Sequence, residues 1–357
     1  MSRWAGGRIS RLAGLAALGT LAWALAAPGG AAAQEEGKNA AVYMYKGPDR
    51  DEQLVRKAQE EGSLTLYTSL ATSESRPLAQ AFEKKYGIKV NLWRATSDKV
   101  VQRAITEGQA GRFAMDVAET NGPEMEMMAR EKLLDRFYSP HLADLPASAL
   151  PAHGLWVTDR LNFFVVAYNT NKVKREQLPD DYEGFLAPEW KGKIGLEATD
   201  VEWMATLIKE RGNEKGMDFF TRLAQMKPDV RKGHILLAEM VGAGEVPVAL
   251  TVYNSEVESI MRRGGPVNWK PVQPVVGRPQ GVAVAKNAPH PHAALLFADF
   301  VLSQEGQELF RSMGRIPASE NVKTDLKDFP YVMVDPVTVL DEHDKWYKVW
   351  NDFFLTR

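Results

Sequence analysis

The feature that most constrains this chain is a regular alternation of strand-like and helix-like segments between residues 51 and 118. Residues 51–61 put Leu54, Val55 and Ala58 on one helical face and stop at Gly62. Residues 64–67 read as a short apolar strand, and 68–73 as a hydroxyl-rich turn. Leu78, Ala81 and Phe82 recur at helical spacing over 77–86, Gly87 closes that helix, and 88–92 alternates as a strand. Ser97 caps a helix running through Val101 and Ile105, and 116–118 forms a third strand. Strands separated by helices pair in parallel, so the pattern predicts an α/β sheet covered by helices. The style returns further on, with strands at 161–169, 194–197, 246–252 and 280–285 and helices at 204–211, 215–225 and 292–303. At 357 residues the chain exceeds what one core supports, so two α/β lobes are expected.

The N-terminus carries a different signal. Arg3, Arg8 and Arg11 precede an apolar run over 12–27, and Pro28-Gly29-Gly30 breaks any helix before Ala31-Ala32-Ala33. Charged, apolar and small-residue regions in that order form a secretory signal peptide, with cleavage expected near Ala33-Gln34. The apolar run is shorter than the ~20 residues of a bilayer span. With no cysteine in the chain, lipidation at the cleavage site, disulfides and thiolate metal sites are all excluded. The expectation is a free, monomeric, periplasmic protein. A formal net charge of -2 argues against a nucleic-acid partner, which would require a basic face. No Walker loop, dinucleotide turn or G-x-S-x-G elbow is present, and no cofactor is expected.

Five ordered segments carry a family resemblance. Glu61-Gly62-Ser63-Leu64-Thr65-Leu66-Tyr67 leads into a helix ending at Phe82-Glu83-Lys84-Lys85-Tyr86-Gly87. Later come Val166-Ala167-Tyr168-Asn169-Thr170-Asn171, Pro188-Glu189-Trp190-Lys191-Gly192, Ala243-Gly244-Glu245-Val246-Pro247 and Phe297-Ala298-Asp299-Phe300-Val301. Together these resemble the solute-binding proteins of bacterial ABC importers, within extracellular solute-binding family 1 and nearest its ferric-ion-binding group. The resemblance implies a two-lobed periplasmic-binding-protein fold of type 2, with a ligand cleft between lobes joined by crossing strands at about 118–125 and 277–285. It implies a signal peptide over 1–33, a first lobe over 34–122, a second over 123–276, a return over 277–330, and a tail over 331–357 packing on the lobes. A membrane permease and ATPase are the implied partners, and hinge closure the implied motion.

In an open α/β sheet, ligands sit beyond the carboxyl ends of the strands, where helix N-termini point. That rule selects Thr68, Ser69, Thr72 and Ser73 after the first strand, whose hydroxyls and nearby free N–H groups favour an anion. Simple N-capping by Thr72 or Ser73 is the competing reading. Arg94 and Ser97 follow the second strand; Arg94 offers a fork to a carboxylate or phosphate, or is merely a solvated charge. Glu119, Thr120 and Asn121 follow the third. Glu197, Thr199, Asp200 and Trp203, with Tyr253 and Asn254, are the second-lobe candidates. The Tyr253 ring can equally finish a core with its hydroxyl wet.

The chain departs from the ferric pattern implied by the resemblance. Where that group carries a His, a Glu and two adjacent tyrosines, this chain has Ala71, a position near Asn121, and Tyr253-Asn254. Of that ligand set only Tyr253 survives; Glu119 and Glu124 lie nearby as substitute donors, so an iron site would rest on Tyr253 and Glu119. A small polar or anionic organic ligand is therefore expected, with no metal; a ferric or ferric-chelate protein is the alternative. Five of the six histidines, His153, His234, His290, His292 and His343, are scattered in sequence with no metal spacing on one helix, and Pro291 makes the close pair His290-Pro291-His292 a surface turn. A secreted hydrolase using a carboxylate pair such as Glu197 and Asp200 is the rival from another class, and a sensor subunit shares the fold.

Overall fold

In the computed structural model, which describes residues 37–356, the chain opens with α1 (Ala40–Tyr43) and α2 (Arg50–Glu61). The segment read as a signal peptide lies outside the described residues. β1 (Ser63–Thr68), α3 (Thr72–Tyr86), β2 (Lys89–Arg94), α4 (Ser97–Gln109), β3 (Val117–Asn121), α5 (Gly122–Arg130) and β4 (Leu134–Asp135) follow. Gly62 and Gly87 end α2 and α3 at φ 73° and 72°, left-handed values that a side chain would strain. β1 pairs in parallel with β2 on one side and β3 on the other, as the alternation requires.

The second half contributes β5 (Val157–Asn169), β6 (Ile194–Glu197), α6 (Val201–Arg211), α7 (Asn213–Gln225), β7 (Asp229–Arg231), α8 (His234–Ala243), β8 (Val248–Tyr253), α9 (Asn254–Arg262), β9 (Val267–Lys270) and β10 (Val275–Ala285). After β10 come α10 (Pro291–Leu302), α11 (Gln304–Ser312), β11 (Ile316–Pro317), β12 (Tyr331–Met333), α12 (Pro336–Asp341) and α13 (His343–Trp350). The main sheet runs β2-β1-β3-β10-β5-β8-β6-β7, with β10 antiparallel to both β3 and β5.

β5 explains how one sheet serves two lobes. All of its residues are buried, and successive side chains go to opposite faces. Phe164, Val166 and Tyr168 enter one apolar cluster with Trp203, Phe220 and Trp350, while Leu161, Phe163, Val165 and Ala167 enter another beneath α8 and α9. Its first residue, Val157, belongs instead to the core built on β1, β3 and α10. β10 makes the reverse passage, with Val276 among the second-lobe residues and Val282 to Ala285 in the first core. The polar stretch between, over 158–160 and 277–281, joins the two lobes.

Several expectations are corrected at this point. The first crossing is β5, not 118–125: β3 ends in α5, whose Met125 and Met128 pack in the first core, as do Leu134 and Trp156. Residues 123–157 therefore belong with the first lobe. α3 begins at Thr72 rather than Pro77. The bond that Pro77 forfeits would have gone to the carbonyl of Ser73, which lies on an exposed turn that water satisfies. The cap positions of α3 and α4 are Ala71 and Thr96, so neither Thr72, Ser73 nor Ser97 caps its helix. The tail touches both lobes, α12 packing on α5 of the first and Trp346, Trp350 and Phe354 entering the core of the second.

Candidate functional site

Parallel pairing brings the ends of β1, β2 and β3 side by side, and their polar residues form one patch. Thr120 Oγ1 donates to Ser69 Oγ at 2.9 Å, and Asn121 Nδ2 to Ser97 Oγ at 2.5 Å. Arg94 spends its fork on backbone, reaching the carbonyls of Leu70 and Ser69 at 3.4 and 3.5 Å. Thr72 and Ser73 stand exposed on the first turn of α3. Three helices, α3, α4 and α5, start at this patch, so their free N–H groups and positive dipole ends converge there.

Two residues of the same strands lie beneath the patch. Thr68 is fully buried, and its hydroxyl bonds Glu119 on β3. Glu119 is also fully buried and ion-paired with Arg160 on β5, which reaches Asp159 at 3.2 Å as well. One guanidinium thus faces two buried carboxylates at the first crossing. Burial and the nearby Glu119 raise Asp159 to about 7, with Arg160 opposing.

The second-lobe candidates collect at the ends of β6 and β8. The loop after β6 wraps on Glu197, whose Oε2 accepts from Thr199 N and Oγ1 at 2.5 and 2.7 Å and whose Oε1 accepts from Gly233 N at 2.7 Å. Asp200, 1% exposed, meets His234 Nε2 at 3.1 Å. The His234 ring stacks on Tyr253 with centroids 3.7 Å apart. Burial pushes Asp200 up to about 6 against the pull of His234. For His234, burial works to lower the pKa, but Asp200 outweighs it and the net shift is upward. Tyr253 accepts a hydrogen bond from Arg278 at 2.7 Å, and burial holds its phenol well above the ordinary value.

Arg278, on β10, ties the halves together. It is ion-paired with Glu202 at the start of α6 and faces Glu124, on the first turn of α5, at 3.9 Å. A continuous polar path therefore runs from the Ser69–Asn121 patch through Glu124 and Arg278 to Tyr253, His234 and Asp200. Asn254 sits behind it, accepting from Phe163 N at 3.1 Å. Trp203 is fully buried, packed edge-on to Tyr182 and Phe220. The sequence reading missed Arg278, Glu202 and His234. The first two follow no strand-end rule, and His234 joins Asp200 only because β6 and β7 pair in parallel and their following loops lie side by side.

A second contact spans the lobes. Arg315, 5% exposed, clamps Glu74 of α3 with two bonds of 2.7 Å while also bonding Ser255 of α9 and Asn162 of β5.

This architecture matches known proteins. The model of the bacterial extracellular solute-binding protein family matches residues 77–330. The Fe(3+)-binding periplasmic protein of Serratia marcescens is 23% identical over 264 residues, covering 71% of this chain and 78% of that protein. Iron-bound HitA from Pseudomonas aeruginosa superposes with a TM-score of 0.72 at 24% identity, covering 82% of this chain and 99% of that one. AfuA from Actinobacillus pleuropneumoniae, with fructose-6-phosphate bound, gives 0.71 at 22% identity and the same coverage. The two solved structures share the fold seen here, and with the family model matching most of this chain, the chain belongs to the bacterial extracellular solute-binding proteins.

Proposed function

We propose that this protein is the solute-binding subunit of an ABC importer, exported to the periplasm after cleavage near Gln34, and that it captures a small polar or anionic organic solute between its lobes. The observation that carries the solute class is the state of the two candidate iron donors. Glu119 is buried and satisfied by Arg160 and Thr68. Tyr253 is held protonated by burial and bonded to Arg278. Ferric iron needs several deprotonated oxygens converging on one point, and freeing either donor would strand a buried charge. The first-lobe patch supplies hydroxyls, an amide and three helix N-termini, which suit an anionic oxygen cluster.

The match to AfuA, with a sugar phosphate bound, supports this reading, whereas the relatives named for iron support ferric capture. Closure would bring the patch onto the Arg278–Tyr253 wall, with β5 and β10 as the hinge. A hydrolase has less support, because three backbone and hydroxyl donors already bond Glu197 and make it a poor general base. The test is a thermal-shift screen of refolded, ligand-free protein against sugar phosphates, phosphonates, carboxylates, amino acids, polyamines and ferric citrate. A solute at a hundred times its Kd adds about 2.7 kcal/mol of stability. Stabilisation by ferric ion without any organic anion would overturn the assignment.

A further inference from the structure

Glu197, Asp200 and His234 each offer a ligand atom, and these atoms all lie within 4.8 Å of one another. His234 Nδ1 faces the carbonyl oxygen of Thr251 at 3.0 Å. A carbonyl can only accept, so Nδ1 carries the hydrogen and Nε2 is the atom turned to Asp200, 3.1 Å from Oδ1. In a neutral ring that turns a lone pair to a carboxylate oxygen, so either a proton or a metal ion must lie between the two atoms. An imidazole whose second nitrogen donates to a backbone carbonyl is oriented as metal-ligating histidines are. Stacking on Tyr253 fixes the ring plane further.

A second observation points the same way. Asp200 Oδ2 is buried and makes no hydrogen bond of normal length, the Thr251 hydroxyl being the neighbour of this carboxyl besides His234, in a residue 1% exposed. Such an oxygen is costly unless something occupies the space before it. Glu197 is oriented by N–H groups on both oxygens; Oε2 is filled by Thr199 N and Oγ1, while Oε1, bonded only to Gly233 N, keeps a further lone pair. The 3.1 Å separation of Asp200 Oδ1 and His234 Nε2 is close to the edge of a coordination polyhedron with bonds of about 2.0–2.2 Å.

We infer that Glu197, Asp200 and His234 hold a divalent first-row transition-metal ion on the second-lobe side of the cleft. One imidazole and two carboxylates suit Zn²⁺, Co²⁺ or Mn²⁺ better than a soft ion. The ion turns a wall of carboxylates into a positive point from which an anionic solute can be held. The inference goes beyond the solute reading and takes from it only the location. Its test uses metal alone, so its failure leaves that reading standing.

The full mature protein is stripped with chelator, dialysed, and titrated calorimetrically with ZnCl₂, and separately with CoCl₂ while the visible d–d bands are recorded. One ion per chain is expected, with cobalt bands showing a nitrogen and oxygen ligand set. His234→Gln and Asp200→Asn should each weaken binding at least about tenfold, with circular dichroism confirming that they fold. His343→Gln, at an exposed histidine, should change nothing. Absence of saturable binding overturns the inference. So does binding that survives both site substitutions, or that His343→Gln abolishes, since the ion is then adventitious.

Discussion

The Glu119–Arg160–Asp159 cluster permits the sharpest stability prediction. Replacing Arg160 with Met keeps the bulk of the side chain and removes the single cation from between two carboxylates that are 0% exposed. Breaking a buried pair from one side costs about 3–5 kcal/mol, because the stranded charge must ionise without a partner or take up a proton. Folded stabilities are about 5–15 kcal/mol, so the loss is a large share of the whole. The pH dependence follows from Asp159. Its folded value of about 7 lies above the ordinary 3.8, so the folded state binds the extra proton. That stabilisation is fully present below about pH 4 and is lost as pH rises through 7. Without Arg160 the carboxyl rises further, and the variant should lose more stability between pH 5 and pH 8 than the parent does. Urea unfolding at both pH values measures this. Glu119→Gln in the Arg160→Met background should recover part of the deficit. A loss under about 1 kcal/mol that is independent of pH would refute the view that the cluster is a desolvated ion network.

Three further outcomes are expected. Arg315→Met removes the link between Glu74 of α3 and Ser255 of α9, so the ligand-free protein should show a larger radius of gyration by small-angle scattering while remaining folded. Trp350 is fully buried, and its indole donates to the Ala198 carbonyl at 2.8 Å; Trp350→Ala should cost about 3–5 kcal/mol in urea unfolding and loosen the loop after β6, read as faster amide exchange at Thr199. Tyr253→Phe removes one hydrogen bond from Arg278 and should weaken the organic solute by about 0.5–1.5 kcal/mol in calorimetry, not abolish its binding.

The fold was largely legible because its signals are local. Gly62 and Gly87 ended helices where expected, and the strand at 194–197 was placed to the residue. The start of β5 was not legible, since Thr158, Asp159 and Arg160 read as surface when taken one by one. Only the partner on β3, about 40 residues earlier in the chain, makes their burial possible. The same reason hid the crossing and shifted the lobe boundary from 123 to β5. At the site, the strand-end rule brought Ser69, Ser97, Thr120 and Asn121 into one patch, because parallel neighbours end together. It did not find Arg278, which lies in the middle of a crossing strand, or His234, whose proximity to Asp200 is created by sheet pairing. Nor could it separate Trp203, one helical turn past Asp200, from the loop it follows: the α6 face that carries Trp203 turns into the core.

The measurement that bears most directly on the proposed capture mechanism is small-angle scattering of the refolded, ligand-free protein, alone and saturated with the best solute from the thermal screen, with ferric salt as a parallel sample. The radius of gyration should fall with the organic solute as the lobes close about β5 and β10. The ferric sample should stay colourless and give the ligand-free curve. Identical curves at saturating solute would contradict capture by closure. Compaction only with iron, accompanied by a tyrosinate charge-transfer colour that Tyr253→Phe removes, would replace the organic solute with ferric ion.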